Sequence, residues 1–224
     1  MGVWQIAGFT IAAALGATAV MLPPGLLLAW LLARKQFRGR ALVDTLVSLP
    51  LVLPPVATGL ILLMLFAPRG PIGRVLAWAG IEVVFTWKAV VLAMAVMALP
   101  LFVRTARAGI EQVDRRFEAV ASTLGARPLR IFFTITLPLA APAVAAATVL
   151  GFARALGEFG ATIMIAGSLP STRTLAVSIY TFAETGHDRE ALVLVAVSAA
   201  IAFVALYVSN RIGSAPGARS GARA

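Results

Sequence analysis

Two ionisable side chains stand deep in an otherwise apolar run, Arg154 and Glu158, four residues apart. At that spacing they share one helix face, where a cation and a carboxylate can neutralise each other or present charge to a passing solute. A charge inside a membrane span costs at least about 2.5 kcal/mol on insertion scales, so both groups should face protein or water. Two readings fit: a self-neutralising pair that steadies its helix, for which Arg before Glu is the poorer order, and part of a pathway in which Arg154 attracts an anion. Other chemistry is poorly supplied. The chain has no cysteine and one histidine, His187, beside Asp188 at a surface or helix-starting position, so thiol, zinc and haem chemistry lack ligands. Neither a catalytic residue nor a metal site is expected. The sequence holds no Gly-x-x-x-x-Gly-Lys-Ser/Thr loop to cradle nucleotide phosphates, which puts any ATP and Mg on a partner.

These residues must be held by membrane helices. Of 224 residues 60% are hydrophobic and 12% charged, against about 25% charged in soluble domains. Five runs are long enough to cross roughly 30 Å of hydrocarbon: Ile6 to Ala33, Ala41 to Ala67, Val83 to Val103, Leu137 to Ile165, and Ala191 to Val208. The first lacks the basic leader of a signal peptide and is read as a retained span. Lys and Arg alternate between the connections. Thirteen fall in the first loop, the loop before the fourth run and the C-terminal tail; five, Arg69, Arg74, Lys88, Arg173 and Arg189, fall on the other side. This bias predicts an all-α integral membrane protein of five spans with the N-terminus outside and the C-terminus inside. The basic residues sort by membrane side, which excludes nucleic acid as the explanation of the net charge of +10. Residues 1–212 form the membrane domain and 213–224 a disordered cytoplasmic tail. The stretch Leu156 to Phe182 is read as an external re-entrant or surface segment, because its second half, nine residues, rises only about 14 Å.

The second run carries Pro50, Pro54 and Pro55 at mid-membrane depth. Each removes a backbone donor and crowds the preceding turn, so the helix must break there. Broken helices at that depth line cavities or pack on protein, and pathway lining and a plain kink fit the prolines equally. The loop from Arg104 to Pro138 holds a short amphipathic helix. Phe117, Val120, Ala121 and Leu124 recur at helical spacing with Asp114, Arg115, Glu118 and Ser122 elsewhere on the wheel,. Gly125 supplies a helix stop, and a second short segment, Pro128 to Thr134, leads to the fourth run. From amphipathicity alone, a helix resting on lipid headgroups explains the pattern as well.

The run Glu118-Ala119-Val120-Ala121-Ser122-Thr123-Leu124-Gly125, with Ile135, Leu137 and Pro138 following, resembles the cytoplasmic signature of bacterial ABC-importer permeases. Gly125, Ile135, Leu137 and Pro138 fall in register, whereas the acidic residue stands one place early at Glu118. The resemblance implies a type I importer fold in the bacterial inner membrane, N-terminus periplasmic, with Phe117 to Gly125 as the coupling helix that seats in a separate ATPase. Three further segments, Ser48 to Gly59, Phe132 to Leu139 and Ala153 to Ile163, look like the molybdate-importer permeases, with sulfate and thiosulfate permeases similar. That family implies a homodimer, two cytoplasmic ABC ATPase subunits and a periplasmic molybdate-binding protein. Within this frame Gly157, Glu158, Phe159 and Gly160 are expected to form the outer gate, Phe159 as a plug and the glycines allowing close approach across the dimer axis. A dianion entering a cell at about −100 mV climbs roughly 4.6 kcal/mol, twice 2.3 per charge, so import must be energised. A tungstate permease, a passive anion channel and a membrane enzyme are the competing readings.

Overall fold

The computed structural model describes residues 2–213, and all regular elements among them are helical. Helix α1 (Val3–Arg34) is unbroken by Pro23 and Pro24. After a left-handed Gly39 the chain forms α2 (Arg40–Val52) and α3 (Pro55–Phe66), then a short α4 (Pro71–Trp78). Helix α5 (Trp87–Gln112) returns along the bundle to α6 (Arg115–Thr123) and α7 (Pro128–Ile131). A π-helical turn, Phe132–Thr136, joins α7 to α8 (Leu137–Leu156). Then come α9 (Gly160–Ala166), α10 (Leu175–Glu184) and α11 (Asp188–Gly213). The remainder of the expected tail, 214–224, lies outside the described residues.

The core is the packing of α5 between α1 and α8, with α11 on the far side of α8. Its contacts are made largely by alanines, among them Ala14, Ala17, Ala93, Ala106 and Ala147, locked by Met94, Met97 and Phe102. Small residues let helix backbones approach closely where lipid offers no hydrophobic drive to associate. Large apolar side chains point outward instead: Leu15, Val20 and Leu27 of α1 and Phe203 and Val204 of α11 are exposed. A helix inside out by the standard of a soluble protein is one solvated by lipid.

Hydrogen bonds sort the two ends of the bundle. At one end the Arg34 guanidinium donates to the Val113 carbonyl at 2.8 Å, joining the ends of α1 and α5. At the other, the Leu175 amide donates to Thr10 Oγ1 at 2.9 Å and the Phe85 amide to the Ile165 carbonyl at 3.0 Å, joining α10 to α1 and α9 to the approach of α5. The first, third and fourth runs thus alternate in direction as expected.

Four helices, α1, α5, the joined α7–α8 and α11, are long and apolar enough to cross a membrane, and α2 with α3 make a fifth if counted as one span. The five runs therefore correspond to real elements, with three corrections. The second run is not one kinked helix: α2 and α3 meet at 115°. Pro50 is accommodated inside α2, whereas Pro54 caps α3 and Pro55 takes its first turn, where a missing N–H costs nothing,. The fourth run ends at Leu156 rather than Ile165, because the chain breaks over Gly157–Phe159 before α9. The third runs on to Gln112, nine residues past Val103, since arginines that mark a membrane boundary do not stop a helix,.

Candidate functional site

The helix break at Gly157 is built around one carboxylate. Glu158 is 1% exposed. Its Oε2 lies 2.9 Å from Arg154 Nη1, and its Oε1 accepts from the Ala161 amide at 2.8 Å, satisfying a free donor in the first turn of α9,. The acid and base foreseen from spacing do pair, yet Glu158 stands beyond the end of α8 and starts the next helix. Arg154 keeps part of its surface open.

Helix α9 packs on α3. A Cβ on Gly160 would stand 2.8 Å from Pro55 Cβ, and one on Gly59 2.7 Å from Ala161 Cα. No side chain fits at either contact without displacing backbone. Pro55 and the Gly-Glu-Phe-Gly segment, about a hundred residues apart in sequence, are one structural site. Gly157 has ordinary room, with its nearest neighbour 4.0 Å away. Phe159 is half-buried with its ring centroid 4.9 Å from that of Tyr180. Tyr180 is held in turn by a hydrogen bond to Glu184, which raises its phenol above the ordinary range. Pro50 sits apart, inside α2. The buried hydroxyls of Thr58 and Thr162, on α3 and α9, have no partner among the described residues and escaped sequence reasoning, since threonine in an apolar helix usually bonds its own backbone.

A second cluster lies at the Arg34 end. Asp114 caps α6, accepting from the Arg116 amide at 2.9 Å. Gly125, at φ +81°, turns the chain back, and the Ala126 amide reaches the Ala121 carbonyl at 3.1 Å to close the helix,. Glu118 faces the bundle. Its Oε1 accepts from Arg34 Nε at 2.9 Å and from Thr136 Oγ1 at 2.7 Å. Arg34 is 6% exposed and binds the Val113 carbonyl as well, so one carboxylate ties α6 to α1, to the end of α5 and to the base of α8. Arg34 and Thr136 were invisible as partners from sequence, Arg34 being counted only as a loop charge.

The opposite face of α6 is open among the described residues. Phe117 is 57% exposed and Leu124 82%. With Val120, Ala121, Thr134, Ile135, Pro138 and Leu139 they line an apolar groove of about 510 Å³. Ala119 lines a separate cavity with Trp30, Arg34, Lys35 and Glu118, and Leu137 is half-buried. The amphipathic helix, glycine turn and second helix stand as expected, with the apolar face free and the charged face engaged.

Comparison with known proteins decides the family. Residues 25–212 match the model of the binding-protein-dependent transport system inner membrane component. The chain belongs to this family. The permease is 44% identical to the molybdenum transport system permease protein of Escherichia coli (strain K12), covering 97% of this chain and 96% of that one. It is 49% identical to the Haemophilus influenzae molybdenum permease over 73% and 72% of the two chains. The sulfate transport system permease of Salmonella typhimurium is 38% identical over 87% of the permease and 71% of its own length. Two solved ABC transporters share the fold at 19% identity: a bacterial alginate ABC transporter, TM-score 0.70, covering 94% of the permease and 77% of that chain, and an inward-facing methionine ABC transporter, TM-score 0.61, covering 94% of each. The permease is an integral protein of the inner membrane, with the type I importer fold expected from its signature.

Proposed function

We propose that the permease is the membrane subunit of an ATP-driven molybdate importer, two copies enclosing the path of the oxyanion. The observation that carries the reading is α6: its charged face is fixed to three membrane helices through Glu118 while its apolar face, Phe117 to Leu124, is open. A helix so mounted suits docking into a cytoplasmic ATPase whose closure it passes on, and the ATPase supplies ATP, Mg and the phosphate-binding loop this chain lacks. The charge bias supports α6 and the C-terminus in the cytoplasm and the N-terminus in the periplasm. There a binding protein would deliver molybdate to the α3–α9 contact, the outer gate. The near full-length similarity to molybdenum permeases supports molybdate. The similarity to sulfate permeases makes sulfate or thiosulfate the second reading, tungstate being close in chemistry to molybdate.

Cellular molybdenum in a strain lacking the permease, with molybdate scarce and then in excess, tests this. Collapse under scarcity alone, with normal growth on sulfate, is the expected result. Unchanged molybdenum with a requirement for reduced sulfur overturns the substrate and supports the sulfate reading.

A further inference from the structure

On the side of α6 away from its open apolar face lies a cavity of about 460 Å³, set where α6 meets the last turn of α1. Its charges do not cancel. Arg34, Lys35 and Arg115 line it with a single carboxylate, Glu118, and that carboxylate is already matched by Arg34 at 2.9 Å and by the Thr136 hydroxyl at 2.7 Å. Two cations are left over. Among the described residues neither Lys35 nor Arg115 forms an ion pair, and both turn toward the end of α1. Lys35 Nζ stands 5.8 Å from the centre of the Trp30 ring, and Arg115 Nη2 donates to the Ala33 carbonyl at 3.4 Å. Attraction to the carbonyl end of α1 accounts for their direction. It leaves most of their N–H donors unused beside an open space.

The rest of the lining is aromatic, Trp30 and Phe132 with ring centroids 5.3 Å apart. Trp30 stands one turn inside Arg34, at the polar end of a membrane helix, where tryptophan favours the headgroup level. From it exposed apolar residues, Leu27, Pro24 and Val20, continue along α1 at helical spacing on its lipid-solvated surface,. Cations, an aromatic boundary and an apolar stripe follow the order of phosphate, glycerol and acyl chain in a phospholipid, and basic pockets between helices on the cytoplasmic side bind acidic headgroups. We propose that this cavity holds the headgroup of an anionic phospholipid, its phosphate on Lys35 and Arg115 and an acyl chain along Leu27 and Val20. A free tetrahedral anion would satisfy the two cations and leave the aromatic wall and the stripe unused. Arg115 is the first residue of α6, so the bound lipid steadies that helix against α1. Its assignment to the inner leaflet rests on the cytoplasmic placement of α6 in the importer reading.

The complete transporter in detergent, offered phosphatidylglycerol and phosphatidylethanolamine in equal amounts, tests the site by native mass spectrometry. The unsubstituted protein should retain phosphatidylglycerol in preference, and excess inorganic phosphate should not displace it. Lys35→Gln with Arg115→Gln should lower its retention roughly ten-fold or more. Arg38→Gln with Arg130→Gln removes the same charge from the same end outside the cavity and should change retention by no more than about two-fold. No preference in the unsubstituted protein, or equal losses in the two double variants, overturns the site. Displacement by inorganic phosphate makes the occupant a free anion, and retention only after the ATPase is removed gives the cavity to the ATPase; either overturns the lipid. The chain has no cysteine, so Arg38→Cys introduces one thiol into the permease. Its modification by an impermeant reagent added outside intact spheroplasts would overturn the cytoplasmic placement of α6, whatever the lipid result.

Discussion

Gly160 and Pro55 touch so closely that a methyl group on the glycine would lie 2.8 Å from the proline Cβ. Through this contact the elbow between α2 and α3 bears directly on the break between α8 and α9. Gly160→Val should cost about 1 to 3 kcal/mol by overpacking, lower the melting temperature and abolish uptake, while Gly157→Ala, where space exists, should leave both near normal. Equal behaviour of the two variants in a melting and uptake comparison would remove the contact from the mechanism.

Glu158→Gln keeps an oxygen for the Ala161 amide but gives up the charge that faces Arg154. The helix start should survive, and the gate should be held less firmly, seen as several-fold faster ATP hydrolysis without substrate and reduced uptake. If neither rate moves, the pair serves only to neutralise itself. Glu158→Ala also deletes the cap and should cost a further 0.5 to 2 kcal/mol or about that.

Glu118→Ala strands the buried Arg34 and should cost about 1.5 to 3 kcal/mol, the range for hydrogen bonds to charged groups. Its signature is faster proteolysis within Arg115–Thr123 and ATP hydrolysis uncoupled from uptake. The exchanged pair Arg34→Glu with Glu118→Arg should recover part of the coupling; identical losses in the single and double variants would argue that the ion pair is not the tie.

Phe117→Asp and Leu124→Asp alter side chains that are already open to solvent, so the isolated permease should melt as before. Burying a large apolar side chain contributes about 1.5 to 3 kcal/mol, and each variant should lose co-purification with the ATPase. Retained assembly in both variants would place the ATPase contact elsewhere.

Sequence made the helices legible where hydrophobicity runs unbroken, as in α1 and α11, and made α6 legible because its two faces differ in kind. It misplaced boundaries where a charge or a glycine had to be weighed by tertiary contacts. Arg104 marks a polarity boundary yet lies mid-helix, since its guanidinium finds Ser48 on α2. The apolar stretch through Glu158 suits a continuous helix locally, and breaks because the carboxylate gains more by capping α9 beside Arg154. The prolines announced a break without its angle, which is set by the α3–α9 packing. The contacts Arg34–Glu118 and Gly160–Pro55 join residues far apart in the chain, where spacing carries no information.

Helix α8 has a carboxylate clamp at each end: Thr136, just before its first residue, holds Glu118, and Arg154 in its last turn holds Glu158. Its 20 residues span about 30 Å, and Arg154 stands about 27 Å from Thr136, so a tilt of about 5° about the Thr136 end sweeps Arg154 through about 2.4 Å. That displacement is comparable to the 2.9 Å length of the Arg154–Glu158 contact. A small rocking of α6 that tilts α8 would therefore be felt at the opposite end of that helix as a shift of nearly a hydrogen bond's length, by leverage alone and without any rearrangement inside the alanine-packed core.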